Sequence, residues 1–136
     1  MRALVVMQMK HSSHTLDSVE HHPTSPVTVE TLPANLPDAV ILKINGPLSI
    51  HNFFDFQDLS RKQTAPLLLI DLSEVPYIDS AAVGSLVGVH VSREHSGKKY
   101  AIIGANDRVQ NIFRMTAVSQ FLVTFPTVAE AEAALL

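Results

Sequence analysis

One stretch of the sequence, residues 67–90, constrains the fold more than any other. It opens with the uninterrupted apolar run Leu67–Ile70, which is typical of a strand buried on both faces, although periodicity alone leaves a buried helix open. Pro76 excludes a helix that continues through the connection that follows. Asp79 and Ser80 stand directly before a new apolar period, as expected of a helix N-cap. The stretch therefore predicts a strand, a tight polar connection and a helix.

The rest of the sequence supplies strands and helices in alternation. Val27–Thr31 and Ala39–Ile44 are strand-like and separated by a short turn, so they predict an antiparallel hairpin. The further predicted elements are strands at 67–70, 100–103 and 122–125 and helices at about 49–62, at 80–95, from 106 or 107, and after Thr127. This order predicts an α/β fold: a mixed, mostly parallel sheet of about five strands with an antiparallel N-terminal edge strand, flanked by about four helices.

Residues 1–26 differ in character from the rest. The segment is polar, ends in a Pro/Ser/Thr cluster, and carries His11, His14, His21 and His22. These histidines suggest either a metal site or a solvated tail, and the tail is favoured because no structured second shell is expected around them. The apolar block at 4–6 is left open between an added edge strand and a loose segment. We therefore expect a tail of residues 1–26, disordered in part, and one domain of residues 27–136.

The composition excludes several classes of function. The chain of 136 residues is 46% hydrophobic and can bury the core of a single domain. It has no cysteine, which excludes a disulfide scaffold, a thiol nucleophile and a cysteine-ligated zinc. Its net charge of −3, without a basic patch, argues against a nucleic-acid partner. No apolar run approaches the length of a membrane span, so we expect a cytoplasmic protein that does not insert into membranes and needs no metal or cofactor.

Acidic residues around the connection after the 67–70 strand raise the possibility of an enzyme. Asp71, Glu74 and Asp79 lie where open α/β sheets often place their sites, and Ser80 suggests a nucleophile with His90 or His95 as its base. His90, however, is ten residues further along the same predicted helix, about 15 Å away. The sequence also lacks a nucleophile elbow, a P-loop and a dinucleotide fingerprint. We therefore expect no enzymatic activity and no catalytic residue.

The helix predicted at 80–95 carries a stripe of small residues. Two glycines inside a helix each cost about 0.8–1 kcal/mol relative to alanine, so close approach of another surface is expected to offset that cost. Either the domain's own sheet or a docked partner could be that surface. The small residues recur at spacings of three and four: Ala81, Gly84, Ser85, Gly88 and Ser92.

The helix predicted at about 49–62 has more apolar surface than one stripe requires. Phe53, Phe54 and Phe56 cannot all face the same way on a helix. The additional ring packs under a loop or forms a contact patch for another chain.

At these positions the sequence resembles the STAS domain, the family named for sulphate transporters and anti-sigma factor antagonists. The family pattern is roughly hydrophobic-Asp-Leu-Ser, then hydrophobic-Asp-Ser-Ser/Thr-Gly-Leu-Gly, and residues 69–73 and 78–84 are similar to it. The resemblance extends over about 27–136, and the predicted order of strands and helices agrees with the family's fold. Outside the core motif it involves Gly46, Leu48, Gly97, Val109, Ile112, Phe113, Met115 and Thr116.

The resemblance implies a non-catalytic binding module that acts in signal transduction and transcription regulation. In bacterial partner switching, such an antagonist docks on a kinase-type anti-sigma factor, and phosphorylation at the start of this helix abolishes docking because it adds charge at the contact surface. The implied partner-binding residues are Asp79, Ser80, Ala81, Gly84, Ser85, Gly88 and Ser92.

This sequence departs from the family pattern at the phosphoacceptor. Aligned without gaps, the acceptor hydroxyl falls on Ala81, which cannot be phosphorylated, and the glycine after it falls on Ala82. The module is then either permanently in its binding state or outside the kinase circuit, with Ser80 as a less favoured substitute acceptor. The missing acceptor also keeps a second class of function open, a STAS subunit of a lipid-transporting ABC-type complex. The partner, and whether the chain forms a homodimer, are not predicted.

Overall fold

The computed structural model describes residues 3–7 and 27–136 of the chain. The strands are β1 (Ala3–Met7), β2 (Val27–Pro33), β3 (Ala39–Asn45), β4 (Leu67–Glu74), β5 (Lys99–Ile103) and β6 (Thr124–Phe125). The helices are α1 (Phe53–Arg61), α2 (Ser80–His95), α3 (Asp107–Met115) and α4 (Val128–Leu135).

The strands form one sheet in which their spatial order is the chain order, β1-β2-β3-β4-β5-β6. The β1–β2 and β2–β3 pairs are antiparallel, whereas the β3–β4, β4–β5 and β5–β6 pairs are parallel. The predicted α/β class and the β2–β3 hairpin are confirmed. β1 adds a sixth strand at the edge, which decides the alternative left open for residues 4–6. The four histidines of the predicted tail lie outside the described residues.

Two hydrophobic layers cover the sheet, one on each face. β4 alternates between them, because Leu68 and Ile70 face the larger cluster while Leu67 and Leu69 face the smaller one. The larger cluster includes residues of α1, α2 and α3, and the smaller one is covered by α4. Three successive right-handed crossovers along one sheet direction place their helices on the same face, which explains why α1–α3 share a side. The four residues of the apolar run are 0% exposed, as the sequence predicted.

Two element boundaries differ from the sequence prediction, and each difference has a local cause. α1 begins at Phe53 and not at Ser49, because the Ser49 amide donates to Asn52 Oδ1 and the Ile50 amide donates to Asp79 Oδ2. These two bonds hold residues 49–52 in a turn. β6 is limited to Thr124–Phe125 because the Val123 amide donates to the Tyr100 hydroxyl instead of to a neighbouring strand.

The end of α2 agrees with the prediction that Gly97 terminates it. Gly97 has φ +69°, in the left-handed region that glycine adopts without penalty. Its amide donates to the Glu94 carbonyl, and the Lys98 amide donates to the Arg93 carbonyl at 2.9 Å. This pair of bonds is the Schellman arrangement, so α2 has defined ends and holds its exposed face at a fixed position.

Candidate functional site

Asp79 links the start of α2 to the turn that precedes α1. Its Oδ1 accepts a hydrogen bond from the Ala82 amide at 2.9 Å, which confirms the predicted N-cap. Its Oδ2 accepts one from the Ile50 amide, also at 2.9 Å. A single carboxylate therefore holds two chain segments together at the N-terminal end of α2.

The two connections that meet at Asp79 also pair through their backbones. Leu48 and Ile78 form a parallel bridge, both side chains are buried, and the Asp79 amide donates to the Leu48 carbonyl at 3.3 Å. Beside this bridge, Tyr77 is 45% exposed and the Arg108 guanidinium lies 5.4 Å from the centre of its ring. The connection that leads into α2 is consequently hydrogen-bonded to the connection that leads into α1.

The predicted site residues divide between the exposed and the buried side of α2. Ser80 and Gly84 are exposed, and Ala81, Gly88 and Ser92 are partly exposed. Ser85 instead lies in the interior, 2% exposed, where its hydroxyl donates to the Ala82 carbonyl at 2.7 Å. Because a buried hydroxyl cannot contact a partner directly, Ser85 is left out of the surface considered below.

The two helical glycines have different surroundings. A Cβ at Gly84 would have no atom within 4 Å, whereas a Cβ at Gly88 would meet the Nε2 atom of Gln57 on α1. A groove between α1 and α2 runs from Gly84, past Gly88, to the end of α2. Its lining comprises Gln57, Arg61, Gly84, Val87, Gly88, Val91, Ser92, His95 and Ser96.

Exposed apolar side chains on α1 and its preceding turn extend this surface. Phe54 is 69% exposed and stacks on Phe53 with ring centroids 4.2 Å apart, whereas Phe56 is fully buried. The additional ring of α1 is thus not packed under a loop. Ile50, whose amide is bonded to Asp79, is 61% exposed. From the sequence, the additional ring could either pack under a loop or form a contact patch, and Phe54 fits the contact patch. Ile50 was not identified, because the position of Ile50 depends on its bond to Asp79.

The residues considered for catalysis do not form a constellation. Asp71 Oδ1 accepts a hydrogen bond from the Ser73 amide near the end of β4, and Glu74 is exposed. His90 is held by the Tyr100 hydroxyl at 2.9 Å, and therefore does not activate Ser80. Among residues 3–7 and 27–136, no group of three or more His, Cys, Asp or Glu side chains is arranged to hold a metal ion. Within the same described ranges, no helix is long and apolar enough to cross a membrane.

Comparison with known proteins identifies the family. Residues 32–131 match the model of the STAS domain, and the chain therefore belongs to the STAS domain family. A protein of Thermotoga neapolitana, provisionally named an anti-sigma factor antagonist, is 30% identical over 99 residues, covering 69% of this chain and 87% of that protein.

Two further relatives carry related names. The crystal structure of a Thermotoga maritima protein, provisionally an anti-sigma factor antagonist, superposes with a TM-score of 0.68 at 26% identity, covering 74% of this chain and 89% of its own. The anti-sigma-B factor antagonist of Staphylococcus aureus is 23% identical over 84 residues, covering 60% of this chain and 78% of that protein. The fold is thus that of the antagonists in this family.

Proposed function

We propose that this protein is a non-catalytic regulator of the anti-sigma factor antagonist type, which binds a protein partner through the first half of α2 and the turn before α1. The observation that carries this proposal is the exposed, side-chain-free surface at Gly84. It lies on the same helix that Asp79 ties to the turn bearing Ile50, itself 61% exposed. A surface of ordered backbone beside exposed apolar side chains is suited to a protein partner.

The helical glycines support docking unequally. At Gly88 the space is used within the domain, because Gln57 occupies it. At Gly84 no side chain of the described domain approaches, so the intramolecular explanation for a helix-weakening glycine does not apply there. Close approach of a partner to the α2 backbone accounts for Gly84.

The partner-binding surface is proposed to consist of two parts. The α2 part is Asp79, Ser80, Ala81, Gly84, Gly88 and Ser92. The second part is Ile50 and Phe54, which supply apolar contact area of the kind that dominates binding energy at interfaces. A kinase-type anti-sigma factor is the partner class that this family relationship favours.

Ala81 is proposed to keep this protein in its binding-competent state. Ala81 is partly exposed at the second position of α2, where the family resemblance places the phosphoacceptor. A methyl group accepts no phosphate, so the negative charge that would repel a partner cannot be added at that position. Control of this protein would then act through its amount or through its partner.

The docking surface is tested by Gly84→Lys. The substitution adds a long side chain to an exposed helical position without a clash inside the domain, so folding should be retained while partner binding weakens roughly tenfold or more. The matched control is Ala133→Lys, at an exposed position of α4 on the opposite face of the sheet, and this variant should bind normally. Affinity is measured by calorimetry against the partner captured from native lysate and identified by mass spectrometry.

The outcome also separates the classes of function. Capture of a sigma-factor regulator with an ATP-binding kinase fold supports partner switching, whereas capture of a transporter ATPase would favour a transport complex. Equal affinity of Gly84→Lys and Ala133→Lys for the captured protein would refute the proposed surface.

The assignment of Ala81 is tested by restoring a hydroxyl with Ala81→Ser. With the captured kinase and ATP, the wild-type protein should stay unmodified, while the Ala81→Ser variant should gain one phosphate and lose binding. Intact-mass spectrometry measures both, with Ala81→Ser combined with Ser80→Ala as the control for the site. Stoichiometric phosphate on Ser80 of the wild-type protein would contradict the proposal.

A further inference from the structure

His90 connects the middle of α2 to the interior of the domain. Its Nδ1 atom is 2.9 Å from the Tyr100 hydroxyl of β5, and the two rings meet edge-on with centroids 5.6 Å apart. Its Nε2 atom is 3.8 Å from Glu94 Oε1, one helical turn further on, and the imidazole is 21% exposed. The ring therefore lies between a buried phenol and an exposed carboxylate.

Tyr100 extends this contact to the connection between α3 and β6. The Tyr100 side chain is buried, and its hydroxyl oxygen accepts a hydrogen bond from the Val123 amide at 3.1 Å. Burial, reinforced by the charge of Glu94, raises the pKa of the Tyr100 phenol even though the Val123 bond acts the other way. The hydroxyl is consequently protonated at neutral pH and has one hydrogen to donate.

The arrangement that gives every hydrogen an acceptor sets the direction of each bond. The oxygen of Tyr100 accepts from Val123, and the hydrogen of Tyr100 finds an acceptor in His90 Nδ1 when that nitrogen is unprotonated. The neutral imidazole carries its hydrogen on Nε2, facing Glu94. The relay runs from the Val123 amide through Tyr100 to His90.

We propose that His90, Tyr100 and Val123 form a proton-dependent latch that holds the α3–β6 connection, residues 116–123, against the sheet while His90 is neutral. Protonation of His90 reverses the bond between His90 and Tyr100, because Nδ1–H then donates to the Tyr100 hydroxyl. That oxygen must accept from both His90 and Val123, and its own hydrogen is left in the interior with no acceptor in the relay. The Tyr100–Val123 bond weakens, and the connection loosens.

The other charged groups near His90 do not cancel this effect. Glu94 attracts an imidazolium, but its side chain is 75% exposed, so water and salt screen the attraction. On α1, which packs against α2, Asp58 and Arg61 are exposed and pair with each other at 3.6 Å. α3 carries Asp107, Arg108 and Arg114, all of them exposed, and residues 116–123 contain no ionisable side chain. A buried donor without an acceptor outweighs a screened surface attraction, so Glu94 does not restore the Tyr100–Val123 bond.

The latch is tested by NMR on the full chain, without any partner. At pH 8 the ring nitrogens of His90 should show an unprotonated Nδ1 and a protonated Nε2. Between pH 8 and pH 5 the exchange protection factor of the Val123 amide should fall by about tenfold. The Leu67 amide of β4, which donates to the Asp38 carbonyl at 3.1 Å and lies away from residues 116–123, should change less than about twofold and so corrects for global opening.

Variants separate the latch from a general effect of acid. Tyr100→Phe should leave Val123 weakly protected at both pH values, and His90→Gln should remove the pH dependence. His95→Gln, exposed at the end of α2, is the control and should keep it. A protonated Nδ1 at pH 8, or a fall in Val123 protection that persists in His90→Gln, would overturn the proposal and leave the proposed partner-binding function untouched.

Discussion

At the scale of single residues, Asp79 has two separate structural roles. One oxygen caps α2 through the Ala82 amide, and the other fixes the turn before α1 through the Ile50 amide. The first role favours helix formation at that point in the chain, and the second positions an exposed apolar residue beside the helix. The geometry of the candidate site therefore depends on both oxygens.

Two substitutions of Asp79 should separate these roles. Asp79→Asn keeps an oxygen acceptor for Ala82 but turns an NH₂ group toward Ile50, so the cap remains and the tether is lost. Asp79→Ala removes both bonds and should lower the free energy of unfolding by about 2 kcal/mol, with Asp79→Asn at about 1 kcal/mol. Urea denaturation measures the two values. Asp107→Asn, an exposed first-turn change on α3, should cost less than about 0.5 kcal/mol.

The sequence predicts the cap of α2 but not the tether, for a physical reason. Asp-Ser before an apolar period is a local pattern, and capping is a bond between residues three positions apart. The bond to Ile50 spans 29 positions and exists only after β4 and α1 have packed. Ser85 is a different case. It lies three residues after Ala82 and four before Val89, both buried, so the helical period itself places it on the core face of α2.

At the scale of elements, Arg93 joins the end of α2 to two other segments. The side chain is 4% exposed, and its guanidinium donates to the carbonyls of Gln63, Ala65 and Lys99. Burial lowers the pKa of the Arg93 guanidinium, which nonetheless stays charged at neutral pH. These carbonyls belong to the α1–β4 connection and the start of β5, so one side chain fixes three elements.

Removal of this side chain should be among the costliest single changes in the domain. Arg93→Ala leaves three carbonyls without their donor and opens a cavity, so the free energy of unfolding should fall by about 3 kcal/mol or more. Thermal and urea denaturation measure the loss. Arg114→Ala, at an exposed position of α3, should change stability by less than about 0.5 kcal/mol. Similar values for the two variants would contradict the role given to Arg93.

Element types followed from the sequence more closely than element ends did. The apolar run of β4 and the period of α2 are repeated patterns, so several residues agree on each assignment. The start of α1 instead depends on the hydrogen bonds from Ser49 to Asn52 and from Ile50 to Asp79, and the length of β6 depends on the bond from Val123 to Tyr100. A residue such as Arg93, charged but buried, gives no sign in sequence that backbone carbonyls will surround it.

At the scale of the whole molecule, α4 is tied to the opposite half of the chain by a buried carboxylate. Glu132 is 4% exposed, and its two oxygens accept hydrogen bonds from Asn35 Nδ2 at 3.0 Å and the Leu36 amide at 2.9 Å. These donors lie in the connection between β2 and β3. The last helix is thereby held against the β2–β3 hairpin.

Glu132→Ala should weaken the attachment of α4 to the β2–β3 connection without disturbing the candidate site. The loss of two hydrogen bonds to a buried carboxylate should lower the free energy of unfolding by about 2 kcal/mol, while partner affinity stays as in the wild type. Glu130→Ala, exposed on the same helix, is the control and should cost less than about 0.5 kcal/mol. Denaturation and calorimetry on the same samples measure both quantities. A loss of partner affinity in Glu132→Ala would show that α4 contributes to docking.

The strand order of the sheet has a consequence for how the protein is made. Each strand lies beside its predecessor in the chain, so no later strand has to insert between two that are already paired. During synthesis from the N-terminus, the growing sheet can offer an open edge to the strand that leaves the ribosome next. Each crossover helix can then cover the newly added strand. Assembly can therefore keep pace with translation, which shortens the time during which the long apolar run of β4 is exposed to other nascent chains.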